Sequence, residues 1–540
     1  MPFEKAHQAC RACRRLKRRC TKDLPSCSLC IRLHKLCEYP EGAIPNTIPN
    51  IAVDDRLRHL EQLLNVNSIS PPEASISPSL DFFPSIQGPT SSFPLPFFLD
   101  NDLFAPFRES ALAQSTQSSL PQICSEYLAH DSMESVSTFF STVHKWLPMI
   151  SRKRLVFELN AQSPDDSCLM LLVLCIKLCI TDTEHQPKDL PLYAVARSLC
   201  SAAETGGFVS LRLLQALVLL AVYELSHAIY PAAFLTLGRA ARLGMLMGFY
   251  DRKDAQQLFK PAETWSLREE QRRTWWAIFI LDRFVNIDSS LPPATPEPCQ
   301  SELLPVNDID WDNGTVVPSE PLYTQTFSSV TTVGSFAKTC QAAHMLSKVM
   351  HHAKARASSQ DITELLPEAQ HLHQALSALH LSIEGSASDG TQLQSLEPSI
   401  FPALALCCSA RLVLYNQYAC NEPLGLSTNG PIALETELQK VGLEGIRAIA
   451  SSTARLVARD TGGCPFVARF LYHAATECAW FIKENHEQVM YDALEDIIGG
   501  LRGSSEHWGL ASQYISLLEQ EEVLKLIDQD ADVSSSTSTL

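Results

Sequence analysis

Six cysteines near the start of the chain repeat one spacing twice: Cys10-x2-Cys13-x6-Cys20, a six-residue loop, then Cys27-x2-Cys30-x6-Cys37. Each C-x2-C puts two thiolates on one turn, where they can grip a single ion, and the third cysteine returns six residues on. Six ligands cannot fill two tetrahedral zinc sites, which need eight positions, so two thiolates must bridge. Symmetry between the copies singles out Cys10 and Cys27 as bridging. Cys13 and Cys20 are then terminal on one ion, Cys30 and Cys37 on the other. Soft thiolates favour zinc, two Zn2+ per chain, although cadmium or copper would also bind.

Charge gives this cluster a task. Residues 1–40 hold ten basic and three acidic side chains, a net +7, while the whole chain is −17, so the other 500 residues carry −24. Six thiolates and two Zn2+ still leave the head near about +5. Its densest basic run, Arg14, Arg15, Lys17, Arg18 and Arg19, lies between the second and third ligands, so metal binding would fix it in space. A rigid basic turn attracts a phosphate backbone with strong salt dependence. One or two of its side chains would reach base edges in the major groove. Met1 to Lys5 lacks the apolar run of a secretory leader, so a reducing compartment is expected, in which clustered cysteines bind metal. The other twelve of the 18 cysteines are expected to be small buried hydrophobes.

A chain of 540 residues exceeds a single core, so the head must be carried by other elements. Residues 1–40 are read as the zinc cluster DNA-binding domain and 41–50, with Pro45 and Pro49, as a partly extended linker. Over 51–65, Val53, Leu57, Leu60 and Leu64 recur at four, three and four, the seam of a short coiled coil. This is read as a homodimerisation element or, since two heptads are weak alone, as an amphipathic helix docking on the body. Residues 66–120 hold twelve serines, eight prolines and seven phenylalanines, a composition that does not support a packed core and implies a disordered linker. Its Phe82, Phe83, Phe93, Phe97, Phe98, Phe104 and Phe107, beside Asp81, Asp100 and Asp102, either dock on a coactivator or lie against the body's apolar surface.

Residues 121–518 repeat apolar side chains at three and four, predicting a large all-α regulatory domain, with two subdomains meeting near the polar stretch 384–395. Within it, 211–224 has a broad apolar face suited to a buried helix, and Glu269 and Arg273 stand at i,i+4. Residues 519–540 are read as an acidic, frayed tail. The most apolar runs, 169–180 and 213–223, are shorter than a bilayer span, so a soluble protein with no membrane partner is expected.

At its cysteines the chain resembles the fungal Zn(2)-C6 binuclear zinc cluster transcription factors. The match covers all six ligands, the run from Cys13 to Cys20, and Pro25, two residues before the fourth cysteine. The resemblance implies that Lys17 makes the main base contact to CGG-type triplets and that Arg14 and Arg19 contact phosphates or neighbouring bases. It also implies a nuclear regulator of RNA polymerase II genes, with linker length setting half-site spacing between two heads. The likeness extends to the family's middle homology region: Phe139 to Pro148, Leu237 to Leu243 through Gly248 to Arg252, Arg272 to Trp276 through Leu281 to Arg283, and Leu304 to Asp308 with Trp311. It departs after Arg283, where Leu291-Pro292-Pro293-Ala294-Thr295 replaces the family's frequent Gly-Arg-Pro turn. The combination is most similar to activators of secondary-metabolite gene clusters. A metabolite-sensing regulator, or a repressor or co-regulator acting through protein contacts, is the alternative.

Other clusters read as structure. Cys407-Cys408 lacks a C-x2-C partner and suits a buried helix wall; His351-His352 and the pair His371 and His373 suit solvated helix faces; Trp275, Trp276, Asp282 and Arg283 suit an aromatic core with a buried ion pair. No G-x-S-x-G, G-x-x-x-x-G-K-[ST], H-E-x-x-H or G-x-G-x-x-G occurs, which leaves an enzyme reading without a nucleophile or base.

Overall fold

The computed structural model describes residues 13, 20–23, 25–32, 37 and 98. Between 132 and 527 it describes all but 162–166, 182–186, 252–261, 263, 290, 300, 323–332, 359–362, 386–397, 420–430 and 459–463. The chain divides into two units, Met1–Gln87 and Gly88–Leu540. In the first, a short helix α1 (Ser28–Arg32) follows the fourth cysteine. The 41–50 linker, the 51–65 seam and, except for Phe98, the 66–120 stretch lie outside the described residues.

The second unit is helical. Its first half holds α2 (Ser132–Ser141), α3 (Val143–Trp146), α4 (Arg152–Asn160), α5 (Ser167–Ile180), α6 (Pro191–Thr205), α7 (Leu211–Ser226), α8 (Ala232–Leu246), α9 (Trp265–Val285) and α10 (Asp308–Asn313). The second half holds α11 (Ser335–Ser358), α12 (Leu366–Gly385), α13 (Phe401–Asn416), α14 (Pro431–Ala448), α15 (Ala454–Val457), α16 (Pro465–Asn485), α17 (Gln488–Ser505) and α18 (Gly509–Gln520). Among the described residues of this unit, the only β pairing is one isolated antiparallel bridge between Leu303 and Pro321. No described helix is long and apolar enough to cross a membrane.

Local chemistry sets the helix starts. Ser210 and Thr264 each accept a hydrogen bond from the backbone N–H three residues on, at 3.1 and 3.2 Å, capping α7 and α9. Pro191, Pro402 and Pro465 occupy first-turn positions whose N–H would have no partner. Helix α7 is buried on every side from Arg212 to Ser226, more completely than its apolar face predicted, because α5, α8 and α9 all pack on it.

Two expectations change here. No division falls near 384–395: one apolar cluster runs from Val136 to Val523, and α11, before that stretch, packs extensively on α13, after it. The frayed tail also begins later than 519. Val523 is buried, and Leu524, Leu526 and Ile527 pack on the core, so their alternation with acidic residues marks a docked amphipathic turn.

Candidate metal centre and the helical body

The Sγ atoms of Cys13, Cys20 and Cys27 lie within 4.8 Å of one another, as do those of Cys27, Cys30 and Cys37, so Cys27 belongs to both groups. Cys13 and Cys27 are 3.5 Å apart, close to the edge of about 3.8 Å that a tetrahedral Zn–S bond of ~2.3 Å requires. Cys13, Cys27 and Cys30 are buried. Local backbone holds them: Ile31 N–H donates to Cys27 O at 3.1 Å in the first turn of α1, and Cys27 N–H donates to Cys37 Sγ at 3.3 Å. Ser28 donates to Thr21 Oγ1 through its N–H (3.0 Å) and its hydroxyl (3.2 Å), bracing the loop that joins the two copies.

Burial pushes the Cys27 thiol up to about 11, against smaller opposing contributions from hydrogen bonds with Cys30 and Cys13. A divalent cation there would have to displace that proton, as soft-metal thiolate sites do. The donors are all sulfur and spaced for tetrahedra sharing a corner, which fits zinc. Cys10, the second expected bridge, and the basic residues Arg14, Arg15, Lys17, Arg18 and Arg19 lie outside the described residues, as do Val53, Leu57, Leu60 and Leu64.

In the body, the family-like stretches converge on buried ions. Arg273 is completely buried; its Nε donates to Glu269 (3.0 Å), Nη1 to Asp308 (2.7 Å) and Pro148 O (3.2 Å), and Nη2 to Val306 O (2.7 Å). Its guanidinium lies 4.0 Å from the centre of the Trp311 ring. The expected Glu269–Arg273 pair is therefore one arm of a clamp joining residues 148, 269, 306 and 308. A neighbouring network centres on Glu270, which accepts from Ser151 N–H (3.0 Å), Arg154 (2.6 Å), Arg212 (2.8 Å) and Gln215 (3.2 Å). Sequence periodicity could not show it, since its members lie on three helices and one loop.

The expected ion pair of Asp282 and Arg283 is present at 2.8 Å and anchors the departing loop. Asp282 accepts from the N–H groups of Ala294 (3.1 Å) and Thr295 (2.8 Å), while Arg283 donates to Thr295 O (3.1 Å). Trp276 is buried and bonds Leu303 O at 3.0 Å.

Cys407 and Cys408 are fully buried, and burial raises both thiols. Of the other scattered cysteines described, Cys168, Cys175, Cys200, Cys340, Cys464 and Cys478 are buried, but Cys179 and Cys299 only partly. His371 is exposed, and His373 is half-buried with Nδ1 2.8 Å from Tyr415 Oη. His352 is a correction: it is not solvated but buried between Glu368 and Tyr418, 2.7 Å from each, because α12 and α13 cover that face of α11.

Residues 8–43 match the model of the fungal Zn(2)-Cys(6) binuclear cluster domain, and 136–383 that of the fungal specific transcription factor domain. The chain is 38% identical over 183 residues to transcription factor BOA15 of Botryotinia fuckeliana, a third of this chain and 98% of that protein. It is 25% identical over 258 residues to transcription factor tazR of Aspergillus terreus, 46% of this chain and 37% of that one. It is also 25% identical over 345 residues to the depudecin biosynthesis cluster-specific transcription activator DEP6 of Fusarium langsethiae, 52% of this chain and 56% of that one. The chain thus spans nearly all of the first of these relatives but only 37% and 56% of the other two.

Proposed function

The chain belongs to the fungal Zn(2)-Cys(6) transcription factors, DNA-binding regulators rather than enzymes, and on that premise we propose that it activates a secondary-metabolite gene cluster through CGG-type sites. The observation that carries the reading is the place of Cys27 Sγ, within 4.8 Å of thiols from both halves of the repeat, which suits two Zn2+ held by six cysteines. Bridging by Cys10 and Cys27 would pin the Arg14 to Arg19 turn between two ligands of one ion. Lys17 would then read base edges, with Arg14, Arg15, Arg18 and Arg19 on phosphates or neighbouring bases. The name of the DEP6 relative supports cluster-specific activation.

The remaining parts follow from the same layout. Residues 1–40 form the DNA-binding head, 41–50 and 66–120 the linkers, and the regulatory body runs from 121 past 518 to take in the docked residues 523–527. The seam of Val53, Leu57, Leu60 and Leu64 pairs two chains, so that two heads meet two triplets. The acidic and aromatic residues of 66–120 recruit coactivators to RNA polymerase II promoters in the nucleus.

Selection of random DNA by the full-length zinc-loaded protein tests this. Enriched pairs of CGG-type triplets at one fixed spacing are expected. Lys17→Ala should cost about 1–3 kcal/mol and relax preference within the triplet. Enrichment of unrelated sequences, or an equal loss on all sequences with Lys17→Ala, would sink the assigned base contact.

A further inference from the structure

Beside the anchored loop, the outer face of α8 borders a groove of about 1050 Å3 whose wall is mostly apolar. Leu235 and Tyr250 line it and remain 56% and 37% exposed, with Leu243 and Leu246 half-buried between them. Two arginines rise from the same helix. Arg239 is paired with Glu204 at 2.8 Å, whereas exposed Arg242 has no ion-pair partner among the described residues. Asp282, on the groove's floor, is buried and already satisfied by Arg283, Ala294 and Thr295. The groove therefore offers an apolar trough and one spare positive charge.

One further side chain lines it: Phe98, the single described residue of 66–120. The residues around it in sequence are Phe97, Leu99, Asp100, Asp102, Leu103, Phe104 and Phe107, with no basic side chain before Arg108. We propose that the α8 groove is an interaction surface for the chain's own acidic and aromatic segment, residues 97–107.

Three observations argue for this occupant. Phe98 stands at the groove's edge, still 70% exposed, so residues a few positions away can reach the groove within the ~3.3–3.6 Å per residue that the chain can span. The charges are complementary, since the segment brings two aspartates to a groove whose unpaired charge is Arg242. The groove's apolar wall is also largely open to solvent, with Leu235 and Tyr250 exposed, which suits a segment laid along it. A tethered segment, held at an effective concentration of about millimolar, occupies a shallow site that the same peptide would not fill from dilute solution.

The docking inference stands on the groove; its regulatory consequence rests on the activation reading above. Phenylalanines held in the groove are withheld from a coactivator, so release of the segment raises output.

The test uses the full-length zinc-loaded protein with Phe98→p-benzoylphenylalanine as a photo-crosslinker. Cross-links to residues 232–250 are expected, with yield unchanged over a hundredfold range of protein concentration. Leu235→Glu should lower that yield at least fivefold without moving the melting temperature of the body, because Leu235 is mainly exposed. Cross-links to residues that do not line the groove, cross-links between two chains, or a yield that Leu235→Glu leaves unchanged would each overturn the docking. In cells, Leu235→Glu should raise reporter output from the protein's own sites severalfold. Lost cross-linking with unchanged output would overturn the consequence while leaving the docking standing.

Discussion

The head and the body solve the problem of burial by opposite means. In the described head the buried hydrophobic residues are Cys13, Cys27 and Cys30, and these are also ligand candidates. The body buries more than a hundred apolar side chains in one cluster and then adds ions to it, with Arg273, Glu270 and Arg283 all fully buried. Below about 40 residues a chain cannot remove enough apolar surface from water to fold alone, so a metal must supply the missing free energy. In the body, apolar burial is ample, and the buried ions fix where the helices meet. A perturbation of metal should therefore act on one region and a perturbation of buried charge on the other.

Metal removal is the largest expected effect. Chelation of the full-length protein should abolish DNA binding while the helical melting transition stays where it was. Cys27→Ser should do the same by releasing both ions, because its sulfur faces both groups, whereas Cys13→Ser or Cys37→Ser should release about one. Zinc content measured per chain separates the cases. Equal loss in all three variants would erase the distinction between bridging and terminal thiols, and a shifted body transition would erase the independence of the two regions.

Arg273→Met is next. It removes the centre of the clamp and takes a donor from buried Glu269, from Asp308 and from the carbonyls of Pro148 and Val306, which should cost the body about 3–5 kcal/mol. Zinc stoichiometry should not change. Denaturant unfolding followed by far-UV circular dichroism reads the first, metal analysis the second; a loss below about 1 kcal/mol would mean that apolar packing alone sets the helix junction.

How much of this was legible in the sequence follows from how local each feature is. The cysteine spacing is local, so the two groups of neighbouring described thiols are legible directly, as are the Glu269–Arg273 pair within one helix and the burial of α7. The burial of His352 is not legible in sequence because its cover comes from α12 and α13, far along the chain. The division expected near 384–395 failed for the same reason: a polar connector reveals nothing about α11 and α13 packing across it. The Glu270 network was invisible because its partners, Ser151, Arg154, Arg212 and Gln215, are brought together only by tertiary packing. Val523 cannot be told from a tail in sequence because alternation with acids looks the same whether a turn is solvated or docked.

The smallest expected effect concerns acidity and again divides the regions. His144 is buried beside Phe139 and Phe140 and stacked on Trp311. Burial first, then the positive charges of Arg273 and Arg152, lowers its pKa from 6.5 to about 3. With the folded value below the unfolded one, the unfolded chain binds the extra proton, so this residue's contribution is fully present above pH 6.5 and is lost as pH falls toward about 3. Glu224 and Glu204 work the other way, since burial raises both and favours the folded state on acidification. The contribution of His144 is therefore isolated by substitution: His144→Phe keeps a ring against Trp311 but removes the titration. Its melting temperature should depend less steeply on pH between 6.5 and 5 than that of the unsubstituted chain, by a few degrees at most. An equal slope in both would show that the buried imidazole does not couple the body to acid. A change in zinc content between them would show that the two regions are not independent.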